Sequence, residues 1–265
     1  MTARLSHDEI PASLANVMAG GPYIVTGASK GIGREIALQL AAQGHPVIGL
    51  ARSSKELKEI GGLLAESCTG SFSIACDLSL PGDIQSAAEH ICEQFDWIAG
   101  IVHNAGTIFP INSMANSDMA QWTHCLQANL IGAQDLTQRL MHLMGGNEQS
   151  RVTTISSGAS LRPVESWSAY CVSKAGLDMW AKCLAAEGAD ANISAISIAP
   201  GVVDTGMQFD IRSANPEHFP SHGDFVSLYT DGHLTQSKDV AEKLSHLILN
   251  HSMEHSGQRF DVREL

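Results

Sequence analysis

None of the six cysteines, Cys68, Cys76, Cys92, Cys125, Cys171 and Cys183, stands in a CxxC pair. Their irregular spacing excludes a disulfide framework or a thiolate metal site and fits free or buried thiols in a reducing cytoplasm. Twelve histidines are scattered without an HExxH box, so no metal site is expected. Basic residues are scarce: 16 Lys and Arg against 28 Asp and Glu, a net charge of −12. Such a surface repels phosphate backbones and excludes nucleic acid as a partner. No apolar run reaches the roughly 18 residues of a membrane span. The opening "MTARLSHDEIPASLANVMAG" lacks a basic start before a long apolar stretch. It reads as an N-terminal extension over 1–20, not a secretion signal. Repeats, low-complexity tracts and linkers are also missing. At 265 residues and 44% hydrophobic, the rest suits one domain over 21–265.

What is present is alternation. Apolar strand patterns at 22–27, 46–51, 71–76, 97–106, 151–157, 193–201 and 257–262 are separated by helical patterns at about 33–44, 54–67, 81–95, 117–144, 168–188 and 237–250. This predicts an α/β fold, a doubly wound parallel sheet of about seven strands with helices on both faces. Residues 202–236 break the pattern. A segment this long without a clear strand is expected to be a lid or binding loop over about 206–235, mobile without ligand.

"TGASKGIG" (26–33) joins the first strand to the first helix. Gly27, Gly31 and Gly33 let the backbone turn sharply and a pyrophosphate come close, at the positive end of the helix. The spacing is G-x3-G-x-G, not G-x-G-x-x-G. Enzymes that bind NAD place an acid near the end of the second strand to hold the ribose 2′-hydroxyl. Here "GLARSS" offers Arg52, Ser53 and Ser54 instead. With Lys30 in the glycine turn, that is two cations aimed at a 2′-phosphate, and it points to NADP.

The chain resembles the short-chain dehydrogenase/reductase family. The resemblance rests on "TGASKGIG" (26–33), "NAG" (104–106), Asn129 in "LQANLIG", Ser157 in "ISS", "YCVSK" (170–174) and "PGVVDT" (200–205), in the family's order over about 21–262. It implies a Rossmann-like fold and an NADP-dependent oxidoreductase. Tyr170 would exchange a proton with the carbonyl oxygen, and Ser157 would hold that oxygen. Lys174 would bond the nicotinamide ribose and lower the Tyr170 pKa. Asn129 would help hold a water linking Lys174 to solvent. Gly27, Ser29, Lys30, Gly31, Ile32 and Gly33 would carry the pyrophosphate end, and Arg52 and Ser53 the ribose. Asp77 and Leu78 would meet the adenine. Asn104, Ala105 and Gly106 would line the cofactor, and Pro200, Gly201, Val203 and Thr205 would seat the nicotinamide. Residues four apart share a helix face, so Lys174 can act on Tyr170.

The lid "DTGMQFDIRSANPEHFP" further resembles the group containing sepiapterin reductase and bacterial benzil reductases. That implies reduction of a ketone or diketone with NADPH. Trp167, Met207 and Phe209 would contact an apolar or aromatic substrate. An NADP-dependent alcohol dehydrogenase or a 3-ketoacyl thioester reductase are the alternatives. A nucleotide-sensing protein without turnover would be expected to lose Tyr or Lys, and both are here. Family members are commonly homodimers or homotetramers, so a homo-oligomer is expected.

Overall fold

The computed structural model describes residues 20–265; the N-terminal extension read from 1–20 lies almost wholly outside them. The chain begins with β1 (Tyr23–Thr26), α1 (Gly31–Ala42), β2 (Val47–Ala51), α2 (Lys55–Ser67), β3 (Phe72–Ala75), α3 (Pro81–Gln94) and β4 (Gly100–His103). It continues with α4 (Met119–Leu126), a π-helical turn (Gln127–Ile131), α5 (Gly132–Leu140), β5 (Ser150–Ile155), α6 (Ser168–Glu187) and β6 (Ile193–Ala199). Then come β7 (Val203–Asp204), α7 (Gly206–Arg212), α8 (His222–Thr230), β8 (Thr235–Gln236), α9 (Ser237–Asn250) and β9 (Arg259–Asp261).

Seven strands form one parallel sheet in the order β3-β2-β1-β4-β5-β6-β9. The inner strands β1, β2, β4 and β6 are buried along their whole length, as a sheet covered on both faces requires. Successive residues point to opposite faces, so each strand feeds two cores. Val25, Val47 and Val102 face one core with Ile36, Leu40, Leu244 and Ile248 of α1 and α9. Ile24, Ile48 and Ile101 face the other with Ile84, Ile91, Leu136 and Leu140 of α3 and α5. Burying each such side chain contributes roughly 1.5–3 kcal/mol. Strand order reverses between β1 and β4. Crevices in open α/β sheets lie at such a reversal, beyond the carboxyl ends of the strands.

Two expectations are corrected. The helix read as continuous over 117–144 is broken by the π turn and ends in a 3₁₀ turn at Met141–Leu143. The segment 202–236 is not strandless: β7 and β8 pair in parallel, and α7 and α8 lie between them.

Candidate active site

A cleft of about 1340 Å³ opens along the carboxyl ends of β1, β2, β4, β5 and β6. Thr26, the last residue of β1, holds its floor. Its hydroxyl accepts the backbone N–H of Asn104 and of Ala105, both at 3.0 Å. Asn104 Nδ2 donates back to the Thr26 carbonyl at 3.0 Å. The glycine turn fits against this knot. Gly27 has φ +69°, and a Cβ there would lie 2.8 Å from Asn104 Nδ2. Gly31 has φ +59° and opens α1, whose N-terminus carries no side-chain cap. Its first-turn N–H groups therefore need a partner, which an anion supplies.

Gly27, Ser29, Lys30, Gly31 and Ile32 all line the cleft, as do Arg52, Ser53, Asp77, Leu78, Asn104, Ala105, Gly106, Pro200, Gly201, Val203 and Thr205. Gly33 does not. A Cβ there would strike Asn104 Nδ2 and the Gly27 carbonyl, so it lets α1 pack on β1 and β4 rather than lining the cofactor path. Lys30 lines the cleft beside a second element. A Cβ at Gly206 would lie 3.6 Å from Lys30 Nζ, so the ammonium lies towards the start of α7 as well as the phosphate end. At the adenine end, the Asp77 carboxylate accepts from Ser79 N at 2.9 Å and Ser79 Oγ at 2.7 Å.

At the other end, Ser157 follows β5 and its hydroxyl accepts from Ala159 N at 3.1 Å. Tyr170 and Lys174 lie one turn apart on α6, both buried. Lys174 Nζ donates to the Ile155 carbonyl at 2.7 Å and lies 5.8 Å from the Tyr170 ring centroid. Asn129 sits in the π turn. Its amide clasps Thr107, accepting from N at 2.8 Å and donating to O at 2.9 Å, and it donates to Ser173 Oγ at 3.0 Å. Asn129 does not touch Lys174, but a Cβ at Gly106 would lie 3.2 Å from Asn129 Oδ1 and 3.7 Å from Lys174 Nζ. The missing side chain at Gly106 leaves space beside both groups.

Burial sets the charge states here. It pushes the Tyr170 phenol up to about 12, against the downward pull of the Ser157 hydroxyl. It pushes the Lys174 ammonium down to about 8, against the upward pull of Asp178. The direction at Tyr170 is opposite to the lowering expected from Lys174, because low dielectric disfavours the charged form of each group.

The substrate side is lined by Trp167, Met207, Ile211 and Phe225. Trp167 meets Tyr170 edge-on with ring centroids 5.8 Å apart. Phe209, expected as a substrate contact, is 64% exposed and does not line the cleft. On α7 it lies two residues from each of Met207 and Ile211, about 200° round the helix. Phe219 is fully buried and stacks on Trp167, with centroids 5.4 Å apart, so the lid is anchored to the body. Thr26, Thr107, Arg162 and Arg263 were missed in the sequence. The first is inside "TGASKGIG", but nothing in the spacing shows that its hydroxyl ties β1 to β4. No group of three or more His, Cys, Asp or Glu among the described residues could hold a metal.

The model of the short chain dehydrogenase family matches residues 23–216. The chain belongs to that family. It is an oxidoreductase of the short-chain dehydrogenase class, which works through a nicotinamide cofactor, and the cleft fits one: two positive-φ glycines, an uncapped helix start and a buried Tyr–Lys pair. The chain is 32% identical over 232 residues to a benzil reductase ((S)-benzoin forming) of Bacillus cereus, covering 85% of this chain and 92% of that one. It is 33% identical over 184 residues to the 3-oxoacyl-[acyl-carrier-protein] reductase of Escherichia coli K12, covering 69% and 74%. A solved short-chain dehydrogenase from Escherichia coli CFT073, complexed with NADPH, superposes with a TM-score of 0.78 at 25% identity, over 92% of this chain and 96% of that one.

Proposed function

We propose that the protein is an NADPH-dependent carbonyl reductase that turns a ketone or diketone, apolar or aromatic, into an alcohol. One arrangement carries the reading: a single cleft has Arg52 and no carboxylate at the end of β2, and Ser157, Tyr170 and Lys174 together at its far end. NADPH, when bound, supplies the hydride to the carbonyl carbon. Tyr170 gives its proton to the carbonyl oxygen. A phenol raised by burial is protonated at neutral pH, so it carries the proton that the charge developing on the oxygen draws across. Ser157 holds the same oxygen and meets the charge that develops on it. Lys174, pushed down to about 8, stabilises the tyrosinate left behind and can return a proton to it. Asn129 holds Thr107 and Ser173 so that the space beside Gly106 stays open for a water.

Ser29, Ile32, Ser53, Leu78, Ala105 and Val203 shape the walls along the dinucleotide, with Asp77 at the adenine and Thr205 at the carboxamide. Trp167 and Met207 meet the substrate. Residues 21–265 act as one catalytic domain. No described helix is long and apolar enough to cross a membrane, and a cytoplasmic setting agrees with the free cysteines. The protein works as a homo-oligomer. On α6, Val172, Met179 and Cys183 form an exposed stripe at i, i+7 and i+11, with Ile131 exposed on the preceding π turn.

The reading is tested by NADPH oxidation against ketones, diketones, quinones, pterins and β-ketoacyl thioesters. Diketones are expected to react fastest; faster thioesters would favour the acyl-carrier reductase reading. Tyr170→Phe should still bind NADPH, while turnover falls on the order of 10²-fold or more.

A further inference from the structure

Ser157 is held from two sides. Its hydroxyl makes a local bond to Ala159 N, but its carbonyl oxygen accepts from Arg259 Nη2 at 3.1 Å, across 102 residues of sequence. The same guanidinium gives its Nε–H to Asp178 Oδ2, also at 3.1 Å. Asp178 stands on α6, one turn beyond Lys174 and two turns beyond Tyr170. Both side chains are largely buried, at 17% and 10% exposure.

We propose that Arg259 is a positioning residue that fixes the spacing between Ser157 and the Tyr170–Lys174 face of α6. This rests on the carbonyl-reductase reading above. Ser157 and Tyr170 come from different elements and must meet one carbonyl oxygen. The other bonds of the Ser157 carbonyl, from Ser160 N at 3.1 Å and Ser160 Oγ at 2.8 Å, stay within its own turn. They shape the turn without placing it against α6. A guanidinium is planar, with donors in a rigid fork, so it holds two acceptors at a set separation. A lysine at the same place is a point charge on a flexible stem and sets no fixed separation between the two acceptors. Arg259 is the first residue of β9, and its backbone is fixed by pairing with Ser197 of β6. The edge of the sheet thus supplies the frame against which the two halves of the proton-donating site are set.

Three variants test this: Arg259→Gln, Arg259→Lys and the charge-balanced double variant Arg259→Gln with Asp178→Asn. The readouts are amide hydrogen exchange at Ser160 and Leu161, NADPH affinity, and kcat and KM for benzil. In Arg259→Gln, exchange at Ser160 should quicken and kcat should fall by roughly tenfold, with NADPH affinity within about twofold. Arg259→Lys should recover part of kcat. If Arg259→Gln fails to fold because Asp178 loses its guanidinium, the double variant keeps the test through Ser160 exchange, which reads the missing fork without relying on kcat, a quantity that Asp178 also affects through Lys174. Unchanged exchange at Ser160, or a kcat within about twofold of the unaltered protein, overturns the proposal. Tyr170→Phe separates the two claims: full turnover there defeats the catalytic reading, whereas Ser160 exchange still decides the clamp without any substrate.

Discussion

At the scale of single residues, the site holds a cation where the protein would be more stable without one. Lys174 is 3% exposed and its ammonium is pushed from the ordinary 10.5 down to about 8 by burial. Below about pH 8 the lysine is charged in both folded and unfolded chains, and the folded state bears the full cost of burying it. Between about 8 and 10.5 the unfolded chain binds more protons than the folded one, so stability rises with pH. At about 1.4 kcal/mol per pKa unit the gross cost is roughly 3.5 kcal/mol, from which an unpaired Ile155 carbonyl takes back about 1–3. Lys174→Met should therefore abolish turnover, yet melt higher than the unaltered protein at pH 7. That advantage should shrink as the pH is raised from 8 towards 10.5. Thermal melts at a series of pH values check it; a lower Tm for Lys174→Met at pH 7 would show that burial is not the governing term.

At the scale of elements, the proposed preference for NADPH rests on what stands at the end of β2. Arg52 lines the cleft, and no acid follows Ala51 before Glu56. Losing a charge-assisted phosphate contact costs about 1.5–3 kcal/mol, or roughly 10–150-fold in affinity. Arg52→Ala should weaken NADPH by that factor and leave NADH nearly untouched. Equal losses for both, measured by titration, would mean that Arg52 does not hold a phosphate. Elements of this kind were legible in the sequence because buried parallel strands read as short apolar runs and their helices as 3.6-residue patterns. The π turn was not legible. The contact made there, Asn129 reaching Thr107, is a tertiary one that no local pattern shows. The elements within the 202–236 segment also escaped. A two-residue strand cannot show alternation, and α8 buries no residue that would mark a face. The tyrosine, lysine, serine and asparagine proposed to be catalytic could be picked out as a family pattern. Their charge states could not, since burial is a property of the folded chain.

At the scale of the whole molecule, the proposed homo-oligomer can be tested at the exposed stripe on α6. Replacing Met179, 59% exposed, with Glu should cost the single chain little and place charge in the centre of the contact. Sedimentation should show an oligomer for the unaltered protein and a smaller species for Met179→Glu. A monomer in both cases would remove the stripe from the argument.

β6 also has a consequence for how the chain is made. All seven of its residues are buried, and its outer neighbour is β9, which lies about sixty residues further on. Until that neighbour arrives, "ISAISIA" is a naked apolar strand with a row of free N–H and C=O groups, the kind of edge on which chains join to one another. A growing or cut chain that has reached α9 already has every other strand of the sheet in hand and still lacks the one that shields this edge. Stopping at Asn250 should therefore give a protein that collects in the pellet rather than a weak enzyme. Three paired residues at the far rim, Arg259 to Asp261, would then separate a dispersed molecule from a sticky one.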